Sequence, residues 1–431
     1  MILAGFFGSQ DPSSNIATSL TWIFWWIVLI FTVMFLGRVF CATCPWLAIS
    51  DWIQKLSLWG RRTRQFTLGL RWPARFKTIL LAAALFILLT WLELAIGVTK
   101  SPIQTAYLGL IILGLTLGSM LLFERNYFCR YGCPIGAIQG AYSLMSPVEL
   151  KAESLEVCKN CKTKDCIRGN EKGYGCPTYT YVGSENSATS LSCILCSECV
   201  KTCPYDNVAF NFRPFLKDLT SSFTPSHAWA LFAVVILALT SFHGLTMIPT
   251  WGLLISLTEP YLGYIGSFTV WMFLFLGFLI GAVYFFVYLA RLMSGTTMPN
   301  TRTLFTYFAV SFLPIALFYH AAHNVAHFNM DFMGFIKALS DPFGYGWNLF
   351  GTANIQVAPI TSMDYVWYMQ AFLIILGHIL AVYVSTKIAH RTYPTHSQAF
   401  RSQIPITTLM IFYTMFSLWL TAQPMVMRTS M

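Results

Sequence analysis

Charged residues are scarce in this sequence. Asp, Glu, Lys and Arg make up only 10% of its 431 residues, whereas a soluble domain carries about 25%. Hydrophobic residues reach 56%, and the mean hydropathy is +0.60. This shortage of charge excludes an ordinary soluble globular protein and predicts a membrane protein. The 14 Trp residues suit the aromatic belts that lie at the two membrane interfaces.

Acidic residues are scarcer still, which leaves a net charge of +10. The Lys and Arg residues are concentrated in a few short loops, as membrane topology requires, so the charge does not indicate nucleic-acid binding. Segment 251–266 is apolar but is interrupted by Glu259-Pro260, which favours an interfacial or re-entrant piece. Eight other segments have the length that crosses a hydrocarbon core, near residues 18–37, 78–98, 104–123, 228–249, 267–290, 304–326, 365–387 and 405–424.

The basic loops predict the orientation of these spans. The four basic loops, after spans 1, 3, 5 and 7, fall on one side of the membrane if the N-terminus is outside. That side is the cytoplasm by the positive-inside rule. The loop 328–363 and the C-terminus would then lie outside. The residues concerned are Arg38, Lys55, Arg61, Arg62, Arg64, Arg71, Arg75 and Lys77 after span 1, Arg125 and Arg130 after span 3, Arg291 and Arg302 after span 5, and Lys387, Arg391 and Arg401 after span 7.

Eight of the 12 cysteines lie in one stretch between spans 3 and 4. The second half of this stretch, Cys193-x2-Cys196-x2-Cys199-x3-Cys203-Pro, has the spacing of a bacterial [4Fe–4S] ferredoxin. The first half, Cys158-x2-Cys161-x4-Cys166-x9-Cys176-Pro, has longer spacings. In two-cluster ferredoxins the fourth cysteine of a run binds the other cluster. We therefore expect one cluster on Cys158, Cys161, Cys166 and Cys203, and the other on Cys193, Cys196, Cys199 and Cys176.

Zinc is the alternative occupant, because paired CxxC motifs also suit tetrahedral Zn²⁺. A zinc site does not need a third cysteine two residues further on, nor a fourth one followed by proline, so the clusters are favoured. A disulfide framework does not fit either, because nothing in the sequence resembles a small secreted domain.

The other four cysteines form two Cys-Pro motifs just past the ends of spans 1 and 3. They are Cys41-x2-Cys44-Pro and Cys129-x3-Cys133-Pro. Each motif follows a basic residue, Arg38 or Arg125, and precedes a short helix-like segment. A redox pair or a further metal site is one interpretation, and buried free thiols are the other, since cysteine is often buried as a small hydrophobe.

These paired motifs, together with the inserted ferredoxin segment, resemble the NapH/NosR-like membrane polyferredoxins over about residues 18–210. Cys129 to Pro134 matches the family's CxxxCP pattern, whereas Cys41 to Pro45 is one residue shorter. The resemblance implies an accessory electron-transfer protein like those of nitrate and nitrous-oxide respiration. A relative of this family is an oxidase-assembly polyferredoxin with cupric reductase activity, which implies a second function class.

All eight histidines lie in the second half of the chain. His320, His323 and His327 share one helix face by their spacing, His243 lies at the same depth as His320, and His378 lies mid-span. A b-type haem between His243 and His320 or His323 is one interpretation, and a copper or zinc site on His320, His323 and His327 is another. Hydrogen-bonded histidines that line a quinone or proton path are the third. The clearest acid within a span, Glu93, is a candidate for a helix-end or proton-path group.

The sequence therefore predicts a mainly α protein, a polytopic membrane helix bundle of about eight spans with an inserted cytoplasmic two-cluster ferredoxin domain. Three regions follow from it: an N-terminal membrane region (1–140), the ferredoxin domain (141–215) and a His-bearing C-terminal membrane region (216–431). The expected location is the cytoplasmic membrane.

The predicted function is electron transfer between the quinone pool and a respiratory partner through two [4Fe–4S] clusters, in a subunit of an oxidoreductase such as a quinol dehydrogenase. Expected partners are lipid, quinone and other subunits of a respiratory or reductase complex, such as a cytochrome c or an iron–sulfur protein, but no nucleic acid. The alternative function is oxidase assembly, cupric reduction or redox sensing.

Overall fold

A computed structural model describes residues 1–55, 66–184, 189–221 and 224–424. Arg61, Arg62 and Arg64, which contribute to the predicted orientation, lie outside the described residues. The chain forms two compact units. The first unit contains residues 1–30, 87–108 and 224–431, and the second contains residues 31–86 and 109–223. The predicted division into three consecutive regions follows chain order rather than contacts, and stays a prediction.

Helices account for all the regular structure of the first unit that the described residues show. Three helices contribute residues to both units: Trp26–Leu36, Leu80–Trp91 and Pro102–Leu122. The others in the first unit are Ile2–Phe7, Ile16–Thr18, Ser19–Trp25, Leu92–Ile96, Val98–Lys100, His227–Thr246, Pro249–Ser294, Thr301–Phe308, Ala309–Phe312, Leu313–Ser340, Met363–Thr392 and His396–Ala422.

The helix Leu313–Ser340 is the centre of the first unit. In the span Thr301–Ser340, 83% of the apolar window is buried, whereas the figure is 39% for Met363–Thr392. Small residues allow the close packing, because a Cβ at Gly377 would lie 2.7 Å from the Cβ of Phe318. The helix that carries three histidines therefore lies inside the protein rather than against lipid.

The segment around Glu259-Pro260 is helical. The helix Pro249–Ser294 contains a sharp kink at Gly263, whose φ of 64° suits a residue without a Cβ. After the kink the chain folds back, because Trp271 donates a hydrogen bond from Nε1 to the carbonyl oxygen of Leu254, 2.9 Å away. The 46-residue helix is therefore a tight pair of helices, of which the second matches the predicted span 267–290.

The predicted fold class is confirmed, since seven described helices are long and apolar enough to cross a membrane. They match seven of the eight predicted spans. The remaining prediction, 78–98, corresponds to the shorter apolar helix Leu80–Ile96. The loop predicted at 328–363 starts later, because the helix Leu313–Ser340 continues through its first part.

The second unit combines short helices with two small antiparallel sheets. Strand β1 (Val148–Ala152) pairs with β4 (Val208–Phe212), and β2 (Gly169–Asn170) pairs with β3 (Gly173–Tyr174). Its helices, besides the shared ones, are Val39–Ala42, Pro45–Lys55, Ala74–Phe76, Phe128–Gly132, Pro134–Ser143, Leu155–Asn160, Asp165–Arg168, Thr189–Leu191, Glu198–Thr202 and Lys217–Thr220.

The buried Arg213 side chain links the start and the end of the cysteine-rich segment by hydrogen bonds and ion pairs. The Arg213 guanidinium lies 2.8 Å from Asp218 and 3.1 Å from Glu149, and it donates to the carbonyl oxygens of Ser146 and Ser143 at 2.9 and 3.0 Å. Only 4% of its side chain is exposed. A buried cation with two carboxylates and several carbonyls holds the residues on both sides of the sheet β1–β4 in place.

We expect Arg213→Met to destabilise the second unit strongly, because both carboxylates then lose their buried partner. Breaking a buried pair in this way costs about 3–5 kcal/mol. The readout is the urea concentration at which cluster absorbance is lost. The matched control is Lys201→Met, which breaks an exposed pair with Glu198 and should cost about 1 kcal/mol or less. Equal shifts for the two variants would contradict the role given to Arg213.

Candidate functional site

The four cysteines predicted for the first cluster line a single pocket. Cys158, Cys161, Cys166 and Cys203 line a small pocket of about 20 Å³. Cys203 comes from the far end of the cysteine-rich segment, and the antiparallel pairing of β1 with β4 returns the chain to this point. Four thiols around one space are the donor set that a [4Fe–4S] cluster takes.

The other four cysteines of the segment form a second group. Cys199 is buried and lies within electrostatic range of Cys193, Cys196 and Cys176. Burial raises the pKa of Cys193 to about 12 and that of Cys196 to about 11. These thiols keep their protons at neutral pH until a metal displaces them.

The two groups are built by equivalent turns. Lys164 and Ser197 are both left-handed, with φ of 54° and 62°, and each stands two residues before a cysteine that lies in a short helix. Those cysteines are Cys166 and Cys199. The structure therefore gives Cys166 the position of the third cysteine in a ferredoxin run, despite its longer spacing in the sequence.

Each Cys-Pro motif of the segment makes the same backbone contact. The Thr180 amide donates to Cys176 Sγ at 3.2 Å, and the Asn207 amide donates to Cys203 Sγ at 3.3 Å. The Asn207 side chain also donates to Cys158 Sγ, 3.4 Å away. Hydrogen bonds to sulfur stabilise the added negative charge of a reduced cluster and are one means by which a protein sets its potential.

A lysine stands beside the first pocket. Lys164 donates to the hydroxyl of Tyr181 at 2.8 Å and also to the carbonyl oxygen of Cys158. The hydrogen bond with Tyr181 raises the pKa of Lys164, so its ammonium is charged at neutral pH. A fixed positive charge at this place favours the reduced form of a cluster bound to the four cysteines.

A single metal ion fits the described residues poorly. Within residues 1–55, 66–184, 189–221 and 224–424, no three His, Cys, Asp or Glu side chains are placed to bind one ion. All twelve cysteines are free thiols. The zinc alternative therefore gains no support at the cysteines, and the copper or zinc alternative gains none at His320, His323 and His327. A four-iron cluster is wider than one ion, so its ligands stand further apart.

The two Cys-Pro motifs outside the ferredoxin segment lie close together in the second unit. Cys129 lies within electrostatic range of Cys133, Cys44 and Cys41. The Arg38 guanidinium lies 3.7 Å from Cys41 Sγ and is buried, with 2% of the residue exposed. Arg38, which the sequence places in a basic loop, is thus an interior residue among cysteines.

Three histidines of the first unit form a chain between two carboxylates, which we name the histidine relay. Its members are Glu93, His243, His323, His327 and Asp331. Glu93 Oε1 lies 3.7 Å from His243 Nδ1, and the His243 and His323 rings are in edge contact with centroids 4.7 Å apart. His323 Nε2 lies 3.1 Å from His327 Nε2, whose Nδ1 lies 2.8 Å from Asp331 Oδ2. The part from His323 to Asp331 is joined by hydrogen bonds that can pass protons, and His243 reaches this part through a ring contact.

The contacts of the histidines differ from those that a haem needs. A haem iron would stand between the ring nitrogens of His243 and His323, but these rings touch directly. The other predicted partner, His320, has its Nε2 3.0 Å from the Thr240 hydroxyl. His378 is buried, and its Nδ1 bonds to the carbonyl oxygen of Ile374 at 2.8 Å. The geometry therefore favours the hydrogen-bonded interpretation over the haem interpretation.

An apolar cavity of about 230 Å³ opens beside the helix that carries His243. Phe242 and Leu245 contribute from that helix, and Trp251 and Trp271 contribute from the two arms of the kinked helix Pro249–Ser294. Sequence reasoning missed this cavity, because it depends on the fold-back at Gly263. The chemistry of its lining suits an apolar ligand.

A family model described as a 4Fe-4S binding domain matches residues 18–67 and 105–148. These two segments contain the Cys-Pro motifs with Cys41, Cys44, Cys129 and Cys133, and none of the cysteines between 158 and 203.

Among curated proteins, this chain is 31% identical over 83 residues to YccM of Escherichia coli (strain K12), a protein provisionally named for electron transport. The match covers 19% of this chain and 21% of YccM. It is also 26% identical over 198 residues to the uncharacterized protein MJ0750 of Methanocaldococcus jannaschii, covering 43% of this chain and 77% of the relative.

A second uncharacterized protein of the same archaeon, MJ0749, is 28% identical over 200 residues, which is 44% of this chain and 71% of the relative. No solved structure matches the chain. Together, the family match and YccM support an iron–sulfur-binding, multi-pass membrane protein. The narrower resemblance to the NapH/NosR-like polyferredoxins stays a prediction.

Proposed function

We propose that this protein transfers electrons between the quinone pool and a respiratory partner through two [4Fe–4S] clusters on the cysteines of residues 158–203. The observation that carries the proposal is the arrangement of these eight cysteines in two groups of four. Each group combines residues from both halves of the segment, as in a two-cluster ferredoxin. The name of YccM, which refers to electron transport, points the same way.

The residues of this chain have three tasks in that function. The cysteines would hold the clusters, which when bound carry single electrons. Lys164 and the amides of Thr180 and Asn207 would favour the reduced state through charge and hydrogen bonds to sulfur. The histidine relay of the first unit would take up and release the protons that accompany quinone chemistry.

The first unit also offers a place for the quinone itself. The apolar cavity beside the helix that carries His243 suits the apolar tail of a membrane quinone. The helix that contributes Phe242 and Leu245 to the cavity also carries His243 of the relay. An imidazole can donate a hydrogen bond to a quinone oxygen and then pass the proton along a chain of neighbouring groups.

The function is tested with anaerobically purified protein in detergent. After chemical reduction of the clusters, addition of a water-soluble quinone analogue should restore their visible absorbance, and the corresponding quinol should bleach it. Indifference of the clusters to both compounds would exclude the quinone pool as partner. The test also covers the assembly or cupric reductase alternative, for which Cu²⁺ replaces the quinone as oxidant.

The proposed topology places the N-terminus and C-terminus outside and the cysteine-rich segment in the cytoplasm. It rests on the basic loops, and the reducing cytoplasm suits thiolate ligands. A periplasm-active reporter fused after Met431 should be active, whereas the same reporter fused after Asn300 should be silent. Activity of the Asn300 fusion alone would reverse the orientation. Activity of both fusions would mean an even number of spans between them.

A further inference from the structure

The two helices that carry the relay histidines lie side by side in the first unit and run in the same direction. His227 Nδ1 lies 3.1 Å from Thr306 Oγ1, and Thr240 Oγ1 lies 3.0 Å from His320 Nε2. These contacts join residues that are 79 and 80 positions apart in the chain. Because the two separations are nearly equal, both helices start on the same side of the membrane. His243 lies about one turn further along than Thr240.

The Asp331 end of the relay lies far from the basic residue at the start of its own span. That residue is Arg302, which contributes to the predicted cytoplasmic side and belongs to the first turn of the span Thr301–Ser340. Between Arg302 and Asp331 a helix extends about 44 Å, whereas the hydrocarbon core is only about 30 Å thick. Asp331 therefore lies past the core, on the side opposite to the basic loops.

The loop 341–362 packs against the helix at the level of Asp331. The Thr361 amide donates to Asn329 Oδ1 at 2.7 Å, and Asn329 Nδ2 donates to the carbonyl oxygen of Thr361 at 3.1 Å. This loop contains no Lys or Arg, as expected on the outer side. Along the relay, the exposed fraction of the side chain rises from 16% at Glu93 to 33% at Asp331. The relay therefore opens beside the outer loop.

In the other direction, apolar side chains close the two helices. Residues 232–239 of the helix His227–Thr246 are all apolar and buried, and so are residues 312–318 of the neighbouring span. The first of these stretches is about 12 Å long. Protons move through water or polar groups, and a hydrophobic constriction excludes water. On these two helices, the relay is thus connected to the outer side and separated from the side of the basic loops.

We infer that the histidine relay exchanges protons with the outer side of the membrane, so that quinol oxidation by this protein separates charge across the membrane. The inference rests on the proposed function, in which electrons pass to the cysteine-rich segment on the side of the basic loops. Oxidation of one quinol breaks its two O–H bonds and leaves a quinone, two electrons and two protons. The electrons leave on the side of the basic loops, whereas the protons leave on the outer side.

The carboxylates at the two ends of the relay suit protons that move outward. Glu93 Oε1, 3.7 Å from His243 Nδ1, stabilises the imidazolium that forms when His243 accepts a proton from the quinol. His323 and His327 then take the proton to Asp331, whose Oδ2 lies 2.8 Å from His327 Nδ1. Asp331 is exposed enough to release the proton to water. Quinol oxidation therefore builds up positive charge outside, and quinone reduction consumes it.

The test uses the purified full chain in liposomes that hold a pH-sensitive dye in the lumen. Ferricyanide in the medium does not cross the membrane, so it accepts electrons only from molecules whose cysteine-rich segment faces the medium. A membrane-permeant quinol is the electron donor, and liposomes without protein give the background rate. Ferricyanide takes up no proton when it is reduced, so every pH change comes from the quinol.

Both protons of each oxidised quinol should appear in the lumen, and the medium should acidify only after a protonophore is added. The protonophore should also raise the rate of ferricyanide reduction several-fold, because it removes the charge that opposes the reaction. Asp331→Asn should slow acidification of the lumen by at least about tenfold, since it removes the last proton-transfer group of the relay. The matched control is Asp364→Asn, an exposed acid after the same outer loop, which should acidify the lumen like wild type.

Immediate acidification of the medium with an unchanged lumen would overturn the inference, while the quinol-driven reduction of ferricyanide would leave the proposed function standing. Ferricyanide reduction no faster than in liposomes without protein would overturn both. If Asp331→Asn acidified the lumen as fast as Asp364→Asn, the relay would not be the path of the protons, and the inference would be wrong even with the protons on the outer side.

Discussion

The Cys203→Ser and Cys158→Ser variants should lose the same electron paramagnetic resonance (EPR) signal, and Cys176→Ser and Cys193→Ser should both lose the other one. The physical reason is the crossed ligand arrangement, in which the fourth cysteine of each run belongs to the opposite cluster. Each variant should lose up to about four iron atoms, since a cubane with three cysteines is readily lost or reduced to three irons. The measurement is EPR of the reduced protein with an iron count.

Comparing the variants in pairs distinguishes the crossed ligand arrangement from one in which each half of the segment holds its own cluster. If each half of the segment held its own cluster, Cys176→Ser would instead share its lost signal with Cys158→Ser. The pocket lined by Cys158, Cys161, Cys166 and Cys203 argues for the crossed arrangement. Tyr205→Phe is the matched control, because Tyr205 lines the same pocket without a sulfur and should keep both signals. Stoichiometric zinc without iron in wild type would contradict the clusters themselves.

Many of the cysteine ligands in the second unit could be grouped from the sequence because they are close together along the chain. Short spacings such as Cys193-x2-Cys196-x2-Cys199 restrict three sulfurs to one turn, so the sequence alone indicates a shared cluster. The longer spacings around Cys166 weaken that inference. The left-handed turn at Lys164 matches the one at Ser197, so Cys166 takes the same place in its turn as Cys199 does. A left-handed lysine has no reliable signature in a single sequence.

The burial of Arg38 could not be predicted for a related reason. A lysine or arginine after an apolar span is normally a topological signal in a short loop, and the sequence gives no indication that this one is buried. Its partners are the carbonyl oxygen of Leu191, far along the chain, and Cys41 nearby. Burial among cysteines follows from how two distant motifs pack, which a local pattern does not specify.

The contacts of the histidines could not be predicted from helical periodicity. The spacing of His320, His323 and His327 places them on one face, but periodicity does not give the rotation of that face toward the neighbouring helix. A small rotation directs His320 to Thr240 and His323 to His243. The contact between Glu93 and His243 joins helices that are distant in sequence. Sequence depth allowed His243 to pair with His320 or with His323, and the contact in the structure is with His323.

The contact between His243 and His323 leads to a second prediction with a large effect, on proton transfer through the histidine relay. We expect His243→Ala and His323→Ala to lower quinol-driven reduction of the clusters by at least about a hundredfold, the usual contribution of a group that transfers a proton. His320→Ala is the matched control, because His320 lies on the same helix but bonds to Thr240 instead. It should leave the rate close to that of wild type, because no proton-transfer group of the relay is lost.

The same variants separate the relay from a haem. If a b-type haem were bound, purified wild type would show its optical spectrum, and His243→Ala or His320→Ala would abolish it. The relay instead predicts no haem spectrum, together with a solvent isotope effect on quinol oxidation that Glu93→Gln reduces. Cluster reduction by dithionite, which needs no quinol, should be the same in every variant. Equal rates for wild type, His243→Ala and His323→Ala with quinol would show that these histidines serve packing, because a proton path interrupted at either ring cannot work at full speed.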